Sequence, residues 1–317
     1  MVFSLKREGP GAMIDVRRIG DAPIIHGGMH PSLGDNINGP SLVRVPEGLN
    51  TKLGKYYLYF SHHKGQHIRL AYADRIEGPW SIFEPGVMPL GETPFTTTVP
   101  DAPQPDWAVA QGEDGLYPHL ASPDVRITAS DGFEMFVHGL YQSGEQVTWR
   151  ACSEDGLKWS FSGEPIPDTY LRIFEWQRTT FAMARCSRIW RRDASGWVPG
   201  EIAISPEVRH VGVLPRDDVL HVLFTRIGDA PEHILHTALR LRDDWRAMTN
   251  AAPPEPVLFP ELAWEGSEQP IEVSRVGAVS FSNALRDPCL FTDDGATWLI
   301  YAGGGENALG LARIYGM

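Results

Sequence analysis

The residues with chemistry to offer gather at the starts and turns of short apolar runs. Asp124 closes Ser122-Pro123-Asp124, Asp287 sits in Arg286-Asp287-Pro288, Asp35 precedes Asn36-Ile37-Asn38, and Glu232 follows Asp229-Ala230-Pro231. A positioned carboxyl group serves as general base or, with a raised pKa, as general acid, so two of these four meeting at one point would make an acid–base pair. Each also has a plain structural reading: a turn aspartate after Pro123, a capping aspartate at 287, an exposed loop glutamate at 232. Histidine adds a group that titrates near neutrality. His62 and His63 end one tyrosine-rich run, His138 holds a matching place in another, and His119 and His210 stand where runs begin. At least two of them are expected in a shared site, as proton donor or metal ligands, although each one alone reads more simply as packing at a strand end. Arg178, Arg226 and Arg286 flank strand ends and together would suit an anionic ligand through bidentate contacts; singly, each reads as a salt bridge. Asn38 offers hydrogen bonds but cannot act as a base.

The elements that must position these groups are β-strands. Helical periodicity is scarce, whereas runs rich in Val, Ile, Tyr, Phe and Trp recur between Gly, Pro, Asp and Asn. Five units share the order strand, strand, mostly closed by a Trp: residues 55–60 and 68–74, 133–139 and 147–151, 180–184 and 187–190, 219–225 and 233–238, 297–302 and 309–313. From Leu58 to Leu299 the units recur about every 60 residues, and five such periods fill the chain. The reading is an all-β, single-domain, five-bladed β-propeller over residues 1–317. A two-sheet sandwich is the rival, but it does not ask for a repeated strand–strand–Trp order. In a propeller the innermost strand of each blade lines a central channel, so polar residues at the starts of those strands converge. Two Pro-rich stretches, 84–116 and 250–269, are expected to cross one face as long blade connections.

Composition excludes several classes of function. Across 317 residues, 28 Lys and Arg face 40 Asp and Glu, a net charge of −12. That balance argues against nucleic acid or an anionic membrane as partner, since phosphate binding needs a basic footprint. The three cysteines are far apart and lack metal-finger spacing. Residues 1–11 are polar, with no apolar core of a leader peptide, and no apolar run approaches the ~18 residues of a membrane span. A cytoplasmic protein with reduced thiols is expected. No glycine-rich segment opens a helix after a strand, which disfavours a dinucleotide enzyme.

The Arg286-Asp287-Pro288 and Ser122-Pro123-Asp124-Val125 starts, with the Tyr56-Tyr57-Leu58-Tyr59-Phe60 strand, resemble the five-bladed β-propeller glycoside hydrolases of families 43, 62 and 117. The resemblance implies cleavage of a glycosidic linkage in a small oligosaccharide, neutral or anionic, by two acid–base groups in the central cleft. It implies that Asp124 is the second-blade aspartate that orients the acid, and it places Asp287 in the motif used for the catalytic base. The resemblance puts that base in the first blade, where this chain has Gly39-Pro40; Asp35 or a carboxyl from another blade must then supply it, with Glu232 as a further acid candidate and Glu175 pointing away. Asn38, the histidines and the arginines are the implied substrate contacts. No cofactor is implied beyond a single divalent cation on the propeller axis in some members. Two alternatives stand beside hydrolysis: a lyase or transferase on the same scaffold, or a non-catalytic sugar-binding propeller.

Overall fold

The computed structural model describes residues 14–113, 115–130, 132–248, 253–277 and 280–317. Residues 1–11, on which the leader-peptide reading rests, and residues 250–252, at the start of the second Pro-rich stretch, lie outside the described residues. Among the described residues no helix is long and apolar enough to cross a membrane.

The chain forms a five-bladed β-propeller of antiparallel sheets, four-stranded in blades 1–4 and five-stranded in blade 5, where the short strand Ile25–His26 also pairs with Ala308–Tyr315. Blade 1 runs outward through Asn38–Arg44, Tyr56–Ser61, His67–Ala73 and Ser81–Pro89; blade 2 through Leu120–Ile127, Phe133–Leu140, Gln146–Ser153 and Ser160–Ile166. Blade 3 comprises Arg172–Trp176, Thr179–Met183, Arg188–Asp193 and Gly196–Ile202, and blade 4 comprises Val208–Arg216, Val219–Arg226, Ile234–Arg240 and Glu255–Leu258. Blade 5 begins with Leu285–Asp293, Ala296–Gly303 and Ala308–Tyr315. Its outermost strand is Asp15–Arg18, so the first described strand closes the last blade.

The sequence dictates this because the second strands are apolar on both faces. In a strand, successive side chains point to opposite faces. Tyr56, Leu58 and Phe60 pack toward blade 5, against Trp298 and Ile300, while Tyr57 and Tyr59 pack toward blade 2, against Phe133 and Met135. Leu299 and Tyr301 face Leu223 and Ile234 of blade 4. Phe174 and Phe181 of blade 3 meet Val222 and Phe224 of blade 4, and Phe136 of blade 2 meets Ala182 and Trp190 of blade 3. Each of the five gaps between blades thus holds its own apolar cluster, which is why these strands read as continuous apolar runs rather than alternating ones.

The two Pro-rich stretches differ from expectation in one respect. Parts of them are outer strands: Ser81–Pro89 takes up the start of the first and Glu255–Leu258 lies in the second. An outermost strand has one unpaired edge and tolerates proline. The remainder, including the short helix Asp106–Gln111, does connect blades.

Three inner strands begin with the same local device. The pairing slips between Asn38 and Ser41, between Ala121 and Asp124, and between Arg286 and Cys289. Inside each slip one residue has left-handed backbone: Gly39 at φ +58, Ser122 at +48 and Asp287 at +51. A proline follows each of them. Such bulges bend a strand and re-aim its side chains.

Candidate active site at the channel mouth

Residues at or before the bulges line one end of the channel, and residues beyond them line the other. At the first end, the mouth, Asn38, Ser122, His138, Tyr170 and His210 surround a narrow cavity. The other end is a wider cleft that includes Asp124, Arg172 and Cys289.

Asp287 is the carboxylate of the mouth with an oxygen to spare. It is 2% exposed, and its Oδ1 lies 2.5 Å from His210 Nδ1. Both His210 Nδ1 and Asp287 Oδ2 are buried without a further hydrogen-bond partner. Left-handed backbone at a non-glycine residue stores strain of about 1–3 kcal/mol and is concentrated at functional sites; Asp287 and Tyr170, at φ +56, both have it. The Tyr170 ring stands between His138 and His210, 4.4 Å from each, and His138 meets His119 edge-on at 5.5 Å. Burial holds all three histidines below their ordinary pKa, His119 down to about 4. They are neutral rings at pH 7.

Behind the rings runs a buried network of ion pairs. Arg286 Nε donates to Glu232 Oε2 at 2.8 Å and its Nη1 to Glu306 Oε1 at 2.9 Å. Glu232 also accepts from Arg209 Nε at 2.9 Å and from Ser274 Oγ at 2.6 Å. Glu306 Oε2 accepts from Asn36 Nδ2 at 3.0 Å and Asn38 Nδ2 at 2.9 Å, and His63 Nδ1 lies 3.4 Å away. Burial works against the charge on both glutamates. Arg286 and Arg209 nevertheless bring Glu232 below the ordinary carboxylate range, and His63, Arg286 and Asn36 hold Glu306 well below it. Both stay ionised. Burial also opposes charge on His63, but Glu306 outweighs it and raises the imidazole's pKa.

The sequence-derived candidates divide accordingly. Asp287, Glu232, Asn38, His63, His119, His138, His210 and Arg286 come together in or directly behind the mouth. Asp124 lies beyond its bulge: Arg172 Nη1 reaches its Oδ1 at 3.3 Å and the Ile173 amide donates to its Oδ2 at 2.8 Å. Arg172 also donates to the carbonyls of Pro40, Pro123 and Val211, tying four blades together at the axis.

Four residues fall outside the cluster. Asp35 is exposed, and it is its backbone carbonyl that receives Asn307 Nδ2. His62 Nδ1 caps its own turn, accepting from the Lys64 amide at 3.0 Å. Arg178 is exposed in the hairpin turn between the first and second strands of blade 3, which opens away from the mouth. Arg226 is engaged within its turn by Asp229, with Nη2–Oδ1 at 2.9 Å. With Arg286 and Arg209 also paired, the expected arginine cradle for an anionic ligand does not form. Glu175 does point away, receiving Arg126 and Thr180.

Sequence reading missed Glu306, Asn36, Tyr117, Tyr170 and Arg209. The signal for Glu306 was the turn between the second and third strands of each blade. That turn opens at the mouth and carries His63 in blade 1, Glu232 in blade 4 and Glu306, after Gly303-Gly304-Gly305, in blade 5.

An axial cation does not fit these residues. The glutamate oxygens are taken by arginine, serine and amide donors, and no group of three or more His, Cys, Asp or Glu side chains among the described residues could hold a metal ion.

No protein-family model matches the chain. An uncharacterised protein, R118, of Acanthamoeba polyphaga mimivirus is 29% identical over 308 residues, covering 88% of this chain and 83% of that protein. Solved structures of similar architecture include CoXyl43, a GH43 β-xylosidase/α-arabinofuranosidase from a compost microbial metagenome in complex with xylotriose. It has a TM-score of 0.58 at 10% identity and covers 95% of this chain and 94% of its own. A GH43_1 enzyme from Xanthomonas citri has a TM-score of 0.57 at 10% identity, covering 93% and 89%. An exo-1,5-α-L-arabinanase from a bovine ruminal metagenomic library has 0.51 at 11%, covering 88% and 92%. At these identities the likeness shows the fold: this chain has the architecture of the five-bladed glycoside hydrolases, as its sequence motifs led one to expect.

Proposed function

We propose, starting from that shared architecture, that the protein is a glycosidase-type enzyme that cleaves a glycosidic linkage in a small oligosaccharide at the channel mouth. The observation that carries the reading is Asp287: a buried aspartate on strained backbone, set against His210 of the cavity wall, with its second oxygen buried and unpartnered. In this reading Asp287 takes a proton from the water that attacks the anomeric carbon, while a donor across the cavity protonates the leaving oxygen. Asp287 stands in blade 5 where Gly39 stands in blade 1. A Cβ at position 39 would lie 2.9 Å from Ser122 Cα and 3.0 Å from Ser61 Oγ. Blade 1 has no room for an aspartate here, and the base is supplied by the equivalent bulge of a neighbouring blade. Neutral sugars suit the site better than anionic ones, because its arginines are already paired. The neighbouring structures with xylotriose and xylose bound support an oligosaccharide ligand.

A second reading, elimination in place of hydrolysis, is favoured by Tyr170, whose ring lies against His210 where a phenol–imidazole pair could abstract a proton. One experiment separates the two. The protein, with and without a chelator, is incubated with xylo-, arabino- and uronate-containing oligosaccharides, and the products are weighed by mass spectrometry. Hydrolysis adds the mass of water; elimination leaves an unsaturated end and adds none. Asp287→Asn should lower kcat about 10³-fold. No turnover, with a thermal shift from one sugar, would leave a binding protein.

A further inference from the structure

Cleavage needs a proton donor opposite Asp287, and the buried glutamates do not supply it. Glu232 and Glu306 are both held as carboxylates by arginines. Resting on the glycosidase reading, we infer that the donor is Tyr117, driven by a relay that runs from Tyr117 through His63 to Glu306.

The relay is laid out in order. Tyr117 Oη lies 3.1 Å from His63 Nε2, and on the far side of the ring His63 Nδ1 lies 3.4 Å from Glu306 Oε2. A carboxylate, an imidazole and a hydroxyl in that sequence form the arrangement in which the carboxylate fixes the tautomer and compensates charge on the ring, while the ring moves a proton to or from the hydroxyl. Both ends are anchored. Glu306 is fixed by Arg286, Asn36 and Asn38. The backbone of Tyr117 is held by His119 Nδ1 on its carbonyl at 2.9 Å, and the segment that follows docks on the blade 1 turn through Gln66 Nε2 to the Pro118 carbonyl at 3.2 Å and the Leu120 amide to the Gly65 carbonyl at 2.9 Å. Tyr117 lines the same cavity as His210.

Several charged groups bear on the relay. Lys64 Nζ stands 4.9 Å from the Tyr117 ring centroid, and a cation there favours the phenolate that proton donation leaves behind. Glu306 and Glu113 stabilise positive charge on His63 and Arg286 opposes it; His119 is neutral. The step balances. Tyr117 Oη gives its proton to the glycosidic oxygen, whose bond to the anomeric carbon breaks with the electron pair staying on oxygen. Protonated His63 then returns a proton to the phenolate from Nε2. The attacking water forms the new bond to carbon and gives its proton to Asp287.

Two measurements test this. Turnover of Tyr117→Phe should fall about 10²–10³-fold on an oligosaccharide. It should fall only about tenfold or less on an aryl glycoside whose leaving group needs no proton. Asp287→Asn should lose equally on both. Independently of turnover, tyrosines labelled with carbon-13 at Cζ are titrated by NMR, with Tyr117 identified by its absence from the Tyr117→Phe spectrum. Its ionisation midpoint should move to higher pH in His63→Gln, with His63→Asn as a second variant. An unmoved midpoint overturns the relay whether or not any glycoside is cleaved. Full activity of Tyr117→Phe on an oligosaccharide overturns the catalytic role while the glycosidase reading stands. A moved midpoint with no glycoside cleaved supports the relay and counts against that reading.

Discussion

The two ends of the channel each carry a buried aspartate at the start of an inner strand, and they put it to opposite uses. Asp124 follows the proline of its bulge and Asp287 precedes the proline of its own. A bulge re-aims successive side chains, and here a shift of two positions moves the carboxylate from one end of the axis to the other. At the far end, Asp124 is occupied on both oxygens by Arg172 and the Ile173 amide, and that pair joins blades. At the mouth, Asp287 shares one oxygen with a neutral histidine and leaves the other without a partner. A satisfied buried charge holds structure together, whereas an unsatisfied one is kept at some cost in stability and is available for chemistry.

Exchanging the roles is the sharpest way to break this comparison. Asp287→Asn is expected to cost about 10³-fold in kcat while its thermal midpoint stays within a few degrees of the wild type. Asp124→Ala is expected to do the reverse: it strands buried Arg172 without a counter-charge, which costs about 3 kcal/mol in chemical unfolding, and it leaves kcat of the folded fraction nearly unchanged. If Asp124→Ala abolished turnover at full stability, the assignment of the two ends would be inverted.

A smaller effect probes why the proposed base sits in blade 5. Gly39→Asp restores an aspartate before the blade 1 proline, but its Cβ meets backbone at Ser122 and the left-handed φ of +58 persists. A loss of about 2 kcal/mol in urea unfolding is expected, with no rescue of Asp287→Asn. Rescue in the double variant would show that the blade 1 position can still accept the base.

Much of the fold was legible because it is written locally. The inner-strand starts of blades 1, 2 and 5 were legible in Asn38-Gly39-Pro40, Ser122-Pro123-Asp124 and Arg286-Asp287-Pro288, and the second strands in their runs of Val, Ile, Tyr, Phe and Trp, as in residues 56–60. The outer strands were not, because Ser81–Pro89 and Glu255–Leu258 carry prolines and little apolar pattern, and an edge strand needs only one partner. Closure by Asp15–Arg18 is a pairing with residues almost 300 positions away, and local pattern carries no record of it. The site was half legible. His63, His210 and Asp287 were found by residue type at strand ends. Arg178 was misplaced because a strand has two ends and sequence does not say which one faces the mouth, and Arg226, at the mouth end of its strand, is taken up by Asp229. Tyr117 lay hidden in a Pro-rich connection that only docking onto the His62–Gln66 turn brings to the cavity.

The smallest expected effect separates the two ends by their response to acid. At the mouth, burial lowers His119 to about 4. A depressed histidine contributes stability that is present above its unfolded pKa, near 6.5, and is lost as pH falls toward 4, because the unfolded chain takes up a proton that the native state refuses. At the far end the sign is opposite. Burial, against Arg172, raises the pKa of Asp124, so its contribution is fully present below the ordinary carboxylate value and is lost as pH rises through the raised one. His119→Gln should therefore flatten the fall in unfolding free energy between pH 6.5 and 4, by no more than about 1.4 kcal/mol per pH unit. Asp124→Asn should leave that fall in place or steepen its acid end. Guanidinium unfolding at half-unit pH steps reads both slopes, and a His119→Gln profile parallel to the wild type would mean that the mouth histidines take up protons without opening the site.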